Sequence, residues 1–337
     1  VTPLPGIGAP FWRKGAIAAA ILLYGLSGVA RAQLSSAQAA LFQNAIGPRV
    51  EALTILGGDF GLSDGEFHST ETLESGHTVP VDTNVSKFGG DGEVGSPRPL
   101  DALHIGWQPL VQGNMGYLES TTRLSELHSS AVTNEFRTFA VEFGGGVRLW
   151  TTDRLSFAPT LMVLYGRTDY DYSASSAFRQ SSVPQLRQLG LIDWNISTWS
   201  LRPALDIQYV AHISRTLVTF SSDAVGFFTH GFDRSNIHLR VGGNSGFVTN
   251  KIDLDIPLGV EIEGHELHTG GYLSRTDLLG DLRQGLRVQH LNELHGRLVL
   301  DFMHPLWGMQ WIGVGASYLW GTNISGWTVG ADIEFHF

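Results

Sequence analysis

The end of this chain alternates without a break. Trp327, Val329, Ala331, Ile333, Phe335 and Phe337 interleave with Gly326, Thr328, Gly330, Asp332, Glu334 and His336. Successive side chains of an extended backbone point to opposite faces, so a period of two makes one face oily and the other polar. The pattern recurs where Ile252, Leu254, Ile256, Leu258, Val260 and Ile262 run against Asp253, Asp255, Pro257, Gly259, Glu261 and Glu263. Phe139, Val141, Phe143, Val147 and Leu149 oppose Glu142 and Arg148, and Trp199, Leu201, Leu205, Ile207 and Tyr209 oppose Arg202, Asp206 and Gln208. Leu294, Leu298, Leu300 and Phe302 oppose Glu293, His295, Arg297 and Asp301. No segment reads as buried on both sides.

The N-terminal residues address compartment. Arg13 and Lys14 form a positive start, Gly15 to Gly28 an apolar stretch, and Ala30-Arg31-Ala32 a small-x-small cleavage site, together a secretory signal peptide over residues 1–32. Cleavage after Ala32 leaves a chain that begins at Gln33. Beyond Gln33 there is no run of about 18 apolar residues, so no helix is available to cross a membrane. There is no cysteine, which rules out disulfides and thiolate metal sites. A net charge of −10 with no basic run argues against a nucleic-acid partner. The 41 glycines against 13 prolines suit a sheet with many tight bends.

Residues 33–49 read as a short segment built around a helix from Leu34 to Gly47, started by Ser35 or Ser36 and stopped by Gly47-Pro48. Residues 50–337 then divide into about twelve strand-like spans. They run over 50–68, 84–106, 110–124, 134–149, 154–171, 193–211, 215–231, 247–262, 266–276, 286–302, 308–320 and 326–337. Every second connection is tight: Gln108-Pro109, Thr151 to Asp153, His212 to Ser214, Gly264-His265 and His304 to Trp307. The others, around 69–83, 172–192 and 232–246, are longer. Short turns on one side and long loops on the other is the asymmetry of outer-membrane barrels. Trp107, Trp150, Trp307 and Trp311 sit by the short turns, and Tyr170, Trp194, Trp199, Trp320 and Trp327 toward the long loops, as two interfacial belts would require.

A soluble sandwich also alternates, so alternation alone leaves the choice open. The export signal, the acids and bases mixed on the polar faces, and an aromatic terminal strand favour an all-β transmembrane antiparallel barrel of about twelve strands with a short N-terminal helix. In it Glu142, Arg148, Arg202, Asp206, Asp253, Asp255, Arg287, Glu293, Arg297, Asp301, Asp332 and Glu334 face the lumen, where opposite signs can pair across strands. The helix, at about 1.5 Å per residue, reaches about 18 Å and falls short of the roughly 25 Å apolar band, so it either plugs part of the lumen or lies in the periplasm.

The signal peptide, the Ala-rich helix at Ser35 to Ile46, the strand count and the final Phe335-His336-Phe337 resemble the translocator domain of autotransporters. With only residues 33 to about 49 ahead of the first strand there is no room for a passenger, so the chain is most similar to the solitary autotransporter-like outer-membrane barrels. That resemblance implies that the barrel-assembly machinery reads Trp327, Ile333, Phe335 and Phe337, and that outer-membrane lipid and lipopolysaccharide surround the barrel.

Candidate catalytic motifs fall short. Gly61-Leu62-Ser63-Asp64-Gly65 matches a nucleophile elbow, which needs a strand-to-helix turn, but its surroundings read as strand and loop. His265-Glu266-Leu267-His268 is one residue short of a zinc-protease motif, and on a strand its histidines face opposite sides. The expectation is a non-enzymatic structural, pore or surface protein with no catalytic residue, metal or cofactor. The alternatives are an outer-membrane lipase or deacylase and a porin-like channel.

Overall fold

In the computed structural model the described residues are 36–336 apart from 58–61, 73–77, 94–97, 101–104, 125–131, 175–182, 185, 237, 264, 307–308 and 323. The signal-peptide residues, with Ala30 and Ala32, and the terminal Phe337 lie outside them. A helix, α1 (Ser36–Gly57), is followed by β1 (Leu62–Thr72), β2 (Thr78–Glu93), the short β3 (Arg98–Leu100), β4 (Ile105–Leu124), β5 (Val132–Trp150), β6 (Leu155–Ala174) and β7 (Trp194–Ile213). Then come β8 (Thr216–Phe232), β9 (Gly242–Ile262), β10 (His265–Leu279), α2 (Gly280–Leu286), β11 (His290–Leu306), β12 (Met309–Gly321) and β13 (Ile324–His336).

The strands form an antiparallel meander closed on itself. β1 pairs with β2 through Ser63↔Lys87 to Thr72↔Thr78 and with β13 through Leu62↔Ala331 to Ser69↔Ile324. β2 pairs onward with β4, and β3 extends the line of β2 along the base of β4. The result is a twelve-strand barrel, with β13 and β2 also meeting in parallel at Phe335↔Gly92 and His336↔Glu93. Closure leaves no long edge, the condition that hydrocarbon imposes on backbone N–H and C=O groups.

The alternation resolves as two faces. Val111, Met115, Phe139, Val141, Phe143, Leu161, Val163, Ile252, Leu254 and Val314 are exposed on the outer wall, while Thr138, Ala140, Glu142, Met162 and Leu164 between them are buried. A band of aliphatic and aromatic groups facing outward is suited to acyl chains. The β6–β7 connection at 175–193 and the β8–β9 connection at 233–241 are long, whereas Thr151–Arg154 and Ser214–Arg215 are tight, which orients the long loops outward from the cell.

Several expectations are corrected. The helix does not stop at Gly47-Pro48 but runs through Pro48 to Gly57, and the expected first strand over 50–68 is helical in its first part. Val50, Glu51, Ala52, Leu53, Thr54 and Ile55 are all buried, because the barrel wall surrounds them. A helix enclosed on every side needs no amphipathic stripe, so its sequence lacks the periodicity that would mark it. Gln108-Pro109 is not a turn: Gln108 pairs with Arg148 and Pro109 with Val147 inside β4. His304 belongs to β11 and His265 opens β10. Trp194 and Tyr170 leave the expected belt and stack on each other inside, with Trp194 only 3% exposed. Trp150 and Trp311 also sit at inward register positions, opposite Ser156 and Asp301, whereas Trp199 and Trp327 face outward.

Phe143 is 66% exposed near the middle of the outer wall. Phe143→Arg is expected to lower the folding free energy in lipid vesicles by about 2–4 kcal/mol, read from urea unfolding, and an unchanged midpoint would show that this wall does not meet lipid.

Candidate functional site: the plugged lumen

α1 enters from the side of the long loops. Gln43 Nε2 donates to the carbonyl of His238 in the β8–β9 connection at 2.5 Å, and the Arg49 guanidinium lies 4.6 Å from the centre of the Phe136 ring. Val50 and Leu53 pack with Leu118, Phe136, Leu186, Ile192, Trp194, Ile196 and Leu239, drawn from three strands and two outer connections. Ala52 and Ile55 pack with Ala140, Leu164, Val225, Phe227, Leu278 and Leu282 on the other side. Each fully buried side chain of this kind contributes about 1.5–3 kcal/mol, so the helix is held by apolar burial.

Two glycines set how closely it docks. A Cβ on Gly166 would collide with Thr54, and one on Gly285 with the Pro48 carbonyl and Ala52. The polar groups on α1 find partners in the wall. Ser245 Oγ donates to Glu51 Oε1 at 2.6 Å and accepts from the Leu282 amide at 2.9 Å, and Thr54 Oγ1 lies 3.3 Å from Thr198 Oγ1. Thus α2, which lies in an outer connection, is bound to α1 through one serine on β9. Burial pushes the Asp281 carboxyl on α2 above its ordinary range.

Elsewhere the lumen is polar and cross-braced. Arg202 Nε stands 3.3 Å from Glu142 Oε1, with the side chains 7% and 3% exposed, and Asn114 Nδ2 donates to Glu142 Oε2 at 3.2 Å. Arg148 lies 3.9 Å from Asp206, and Arg297 makes a two-pronged contact with Asp253 at 2.8 and 2.9 Å. All three arginine pairs skip a strand. Arg297 on β11 passes over Gly270 on β10 to reach Asp253 on β9, a path a side chain on Gly270 would crowd. His268 Nδ1 lies 3.1 Å from Asp255, and Tyr272 donates to Glu293 at 2.8 Å while stacking on His295. Asp301 stands in register with Glu266 and Trp311.

Of the other expected positions, Asp332 and Glu334 are fixed by backbone register opposite Gly313 and Trp311, and their side chains lie outside the described residues. Arg287 is not in the barrel wall; it ends α2 in a left-handed conformation (φ 56°) and is exposed, because β11 starts only at His290. On β13, Trp327 faces outward, Ile333 is opposite Ile312, and Phe335 is opposite Met309. Ser63 falls on β1, a strand, and no strand-to-helix turn holds it. Among the described residues, no three histidines or carboxylates converge as metal ligands. Sequence reasoning missed α1 residues 50–55 and the apolar residues of the outer connections, whose signal is a run of apolar residues with no fixed period.

The model of the solitary outer membrane autotransporter beta-barrel domain matches residues 99–330. The chain belongs to that family. This autotransporter-type barrel is therefore a Gram-negative outer-membrane protein. It is similar in fold to the transport unit of the autotransporter AIDA-I from Escherichia coli, at 10% identity and a TM-score of 0.54 over 86% of this chain and 99% of that one. The translocator domain of NalP from Neisseria meningitidis superposes more loosely, at 8% identity and a TM-score of 0.45 over 92% of this chain and 100% of that one. So does the β domain of Bordetella BrkA, at 10% and 0.43 over 82% and 98%. No curated protein matches by sequence.

The Glu142–Arg202 pair carries a double-mutant expectation. Removing one charge, as in Arg202→Met, strands its buried partner and is expected to cost about 3–5 kcal/mol in unfolding experiments, whereas Arg202→Met with Glu142→Leu recovers most of that loss. Equal loss in the single and double variants would show that the ion pair is not what fails.

Proposed function

We propose that this barrel is a sealed membrane anchor that holds the N-terminal end of α1 at the cell surface, and that its lumen does no chemistry and passes no solute. The observation that carries the reading is the burial of Val50 through Ile55 among residues of the wall and outer connections. A pore needs a continuous wet path, and apolar packing on both sides of a helix removes one. The lumenal acids and bases support the same reading, since pairs braced across strands, such as Arg297 with Asp253, neutralise one another instead of forming a ring of one sign. We further propose that the barrel-assembly machinery inserts the chain by way of β13, which carries Trp327, Ile333 and Phe335 at alternate backbone positions, and that phospholipid and lipopolysaccharide form its surroundings.

Two measurements test this. In planar bilayers the whole protein is expected to show no steady conductance, and removal of residues 36–57 is expected to open a channel; porin-like conductance of the intact chain would defeat the proposal. An epitope placed ahead of Ser36 is expected to bind antibody on intact cells, and recognition only after the outer membrane is breached would reverse the direction assigned to α1.

A further inference from the structure

Two carboxyl groups face each other where α1 meets the outer connections. Glu51 on α1 is 1% exposed, and Asp281 on α2 is partly buried. They converge over Gly243 of β9. A Cβ on Gly243 would collide with Asp281 Oδ2 and stand 3.0 Å from Glu51 Oε2, so the width of one absent methyl group separates the carboxyls. That places them inside the roughly 4–6 Å over which one charge strongly disturbs another.

The hydrogen-bond partners here are neutral. Ser245 Oγ donates to Glu51 Oε1 at 2.6 Å, and Thr229 of β8, itself 2.8 Å from Ser200 of β7, is hydrogen-bonded to Glu51 as well. Among the described residues, the cations of the surrounding elements are engaged elsewhere or exposed. Arg49, on α1 itself, lies over the Phe136 ring and 3.5 Å from Thr122, and Arg202 of β7 is paired with Glu142 of β5. Lys251 of β9 lies over the Tyr272 ring, Arg275 of β10 is paired with Asp277, and His230 of β8 lies against Trp199 on the outer face. Arg240 in the β8–β9 connection and Arg283 and Arg287 on α2 are exposed. Two ionised carboxylates so placed would each lose solvation and repel the other, so the pair keeps a proton past the pH at which an open carboxyl releases it.

We propose that Glu51 and Asp281 form a proton-dependent latch between α1 and α2, which fastens the plug helix while the pair holds a proton and loosens it as both groups ionise. The sign follows from where the proton is held more tightly. In the closed state burial raises the Asp281 carboxyl, whereas in an opened state both groups meet water. The latch is therefore fully fastened below the ordinary carboxylate range, near about pH 4, and weakens as pH rises through the raised range of the closed pair. Apolar packing of Val50, Leu53 and Ile55 does not titrate, so the response is a local loosening of α1 and the barrel stays folded. This inference rests on the reading of α1 as a plug docked among the outer connections, and adds to it a response to the pH outside the cell.

The test uses the full-length protein refolded in detergent and follows hydrogen exchange at the amides of residues 50–55 between about pH 5 and pH 9, corrected for the intrinsic effect of pH on exchange. Protection is expected to fall with rising pH, by roughly tenfold for each unit by which the closed pair's pKa exceeds that of the open state, while the amides of β5 and β6 keep theirs. Glu51→Gln leaves an acceptor for Ser245 and removes the enclosed acid, Asp281→Asn removes its neighbour, and each is expected to reduce the slope. The double variant is expected to flatten it. Wild-type protection that changes by less than about twofold over this range overturns the latch. So does a folded variant that keeps the wild-type slope, and if Glu51→Gln does not fold, Asp281→Asn alone decides. Steady conductance of the wild-type protein would instead defeat the sealed-anchor reading, so the two failures are told apart by separate measurements.

Discussion

The backbone's need for hydrogen-bond partners in hydrocarbon governs this molecule. Each unpaired amide or carbonyl there costs several kcal/mol, and among the described residues no helix is long and apolar enough to cross, so the strands cross as a closed sheet. β1 satisfies the condition by pairing on both sides, with β2 and with β13, at opposite ends of the barrel sequence. Once closure is forced, the period of two assigns every second residue to lipid, and the remaining half must fill or line a lumen.

A barrel of this size has more interior than its own side chains fill, and the two ends of the lumen meet that need differently. Toward the outer loops α1 supplies an apolar core, with wall residues such as Leu118 and Leu164 turned inward to meet it. These residues are oily on the lumenal side because they pack on a helix. Away from the helix, long arginine side chains cross a neighbouring strand to reach acids, as Arg297 does over Gly270. Burying one such charge without its partner is costly, so the pairs add register specificity to a sheet whose lipid-facing band is mostly apolar.

Toward the outer loops the outer wall turns polar. Along β1 and β2 the outward positions hold Glu66, His68, Asp82, Asn84 and Ser86, and in the same ladder rows Glu119 and Thr121 on β4, Glu135 and Arg137 on β5 and Asp169 and Asp171 on β6 continue the polarity. Register sets these residues side by side although they are far apart in sequence, as Asp82, Glu135 and Asp171 are, so the set is not visible in the linear chain.

The alternation along each strand, the lengths of the connections and the inward direction of residues such as Glu142, Arg202 and Asp253 were legible in the linear chain, because face is decided by parity alone. The interruption at Pro48 and the dipeptide Gln108-Pro109 misled, since the local preference of proline for ends and turns yielded to packing and to sheet pairing. Only the tertiary structure decided that Val50 to Ile55 is a helix, that Trp194 turns inward, and which acid each arginine meets. Those outcomes depend on what closes around a residue once the barrel forms. Register between strands far apart in sequence sets that environment, and no single segment carries the information.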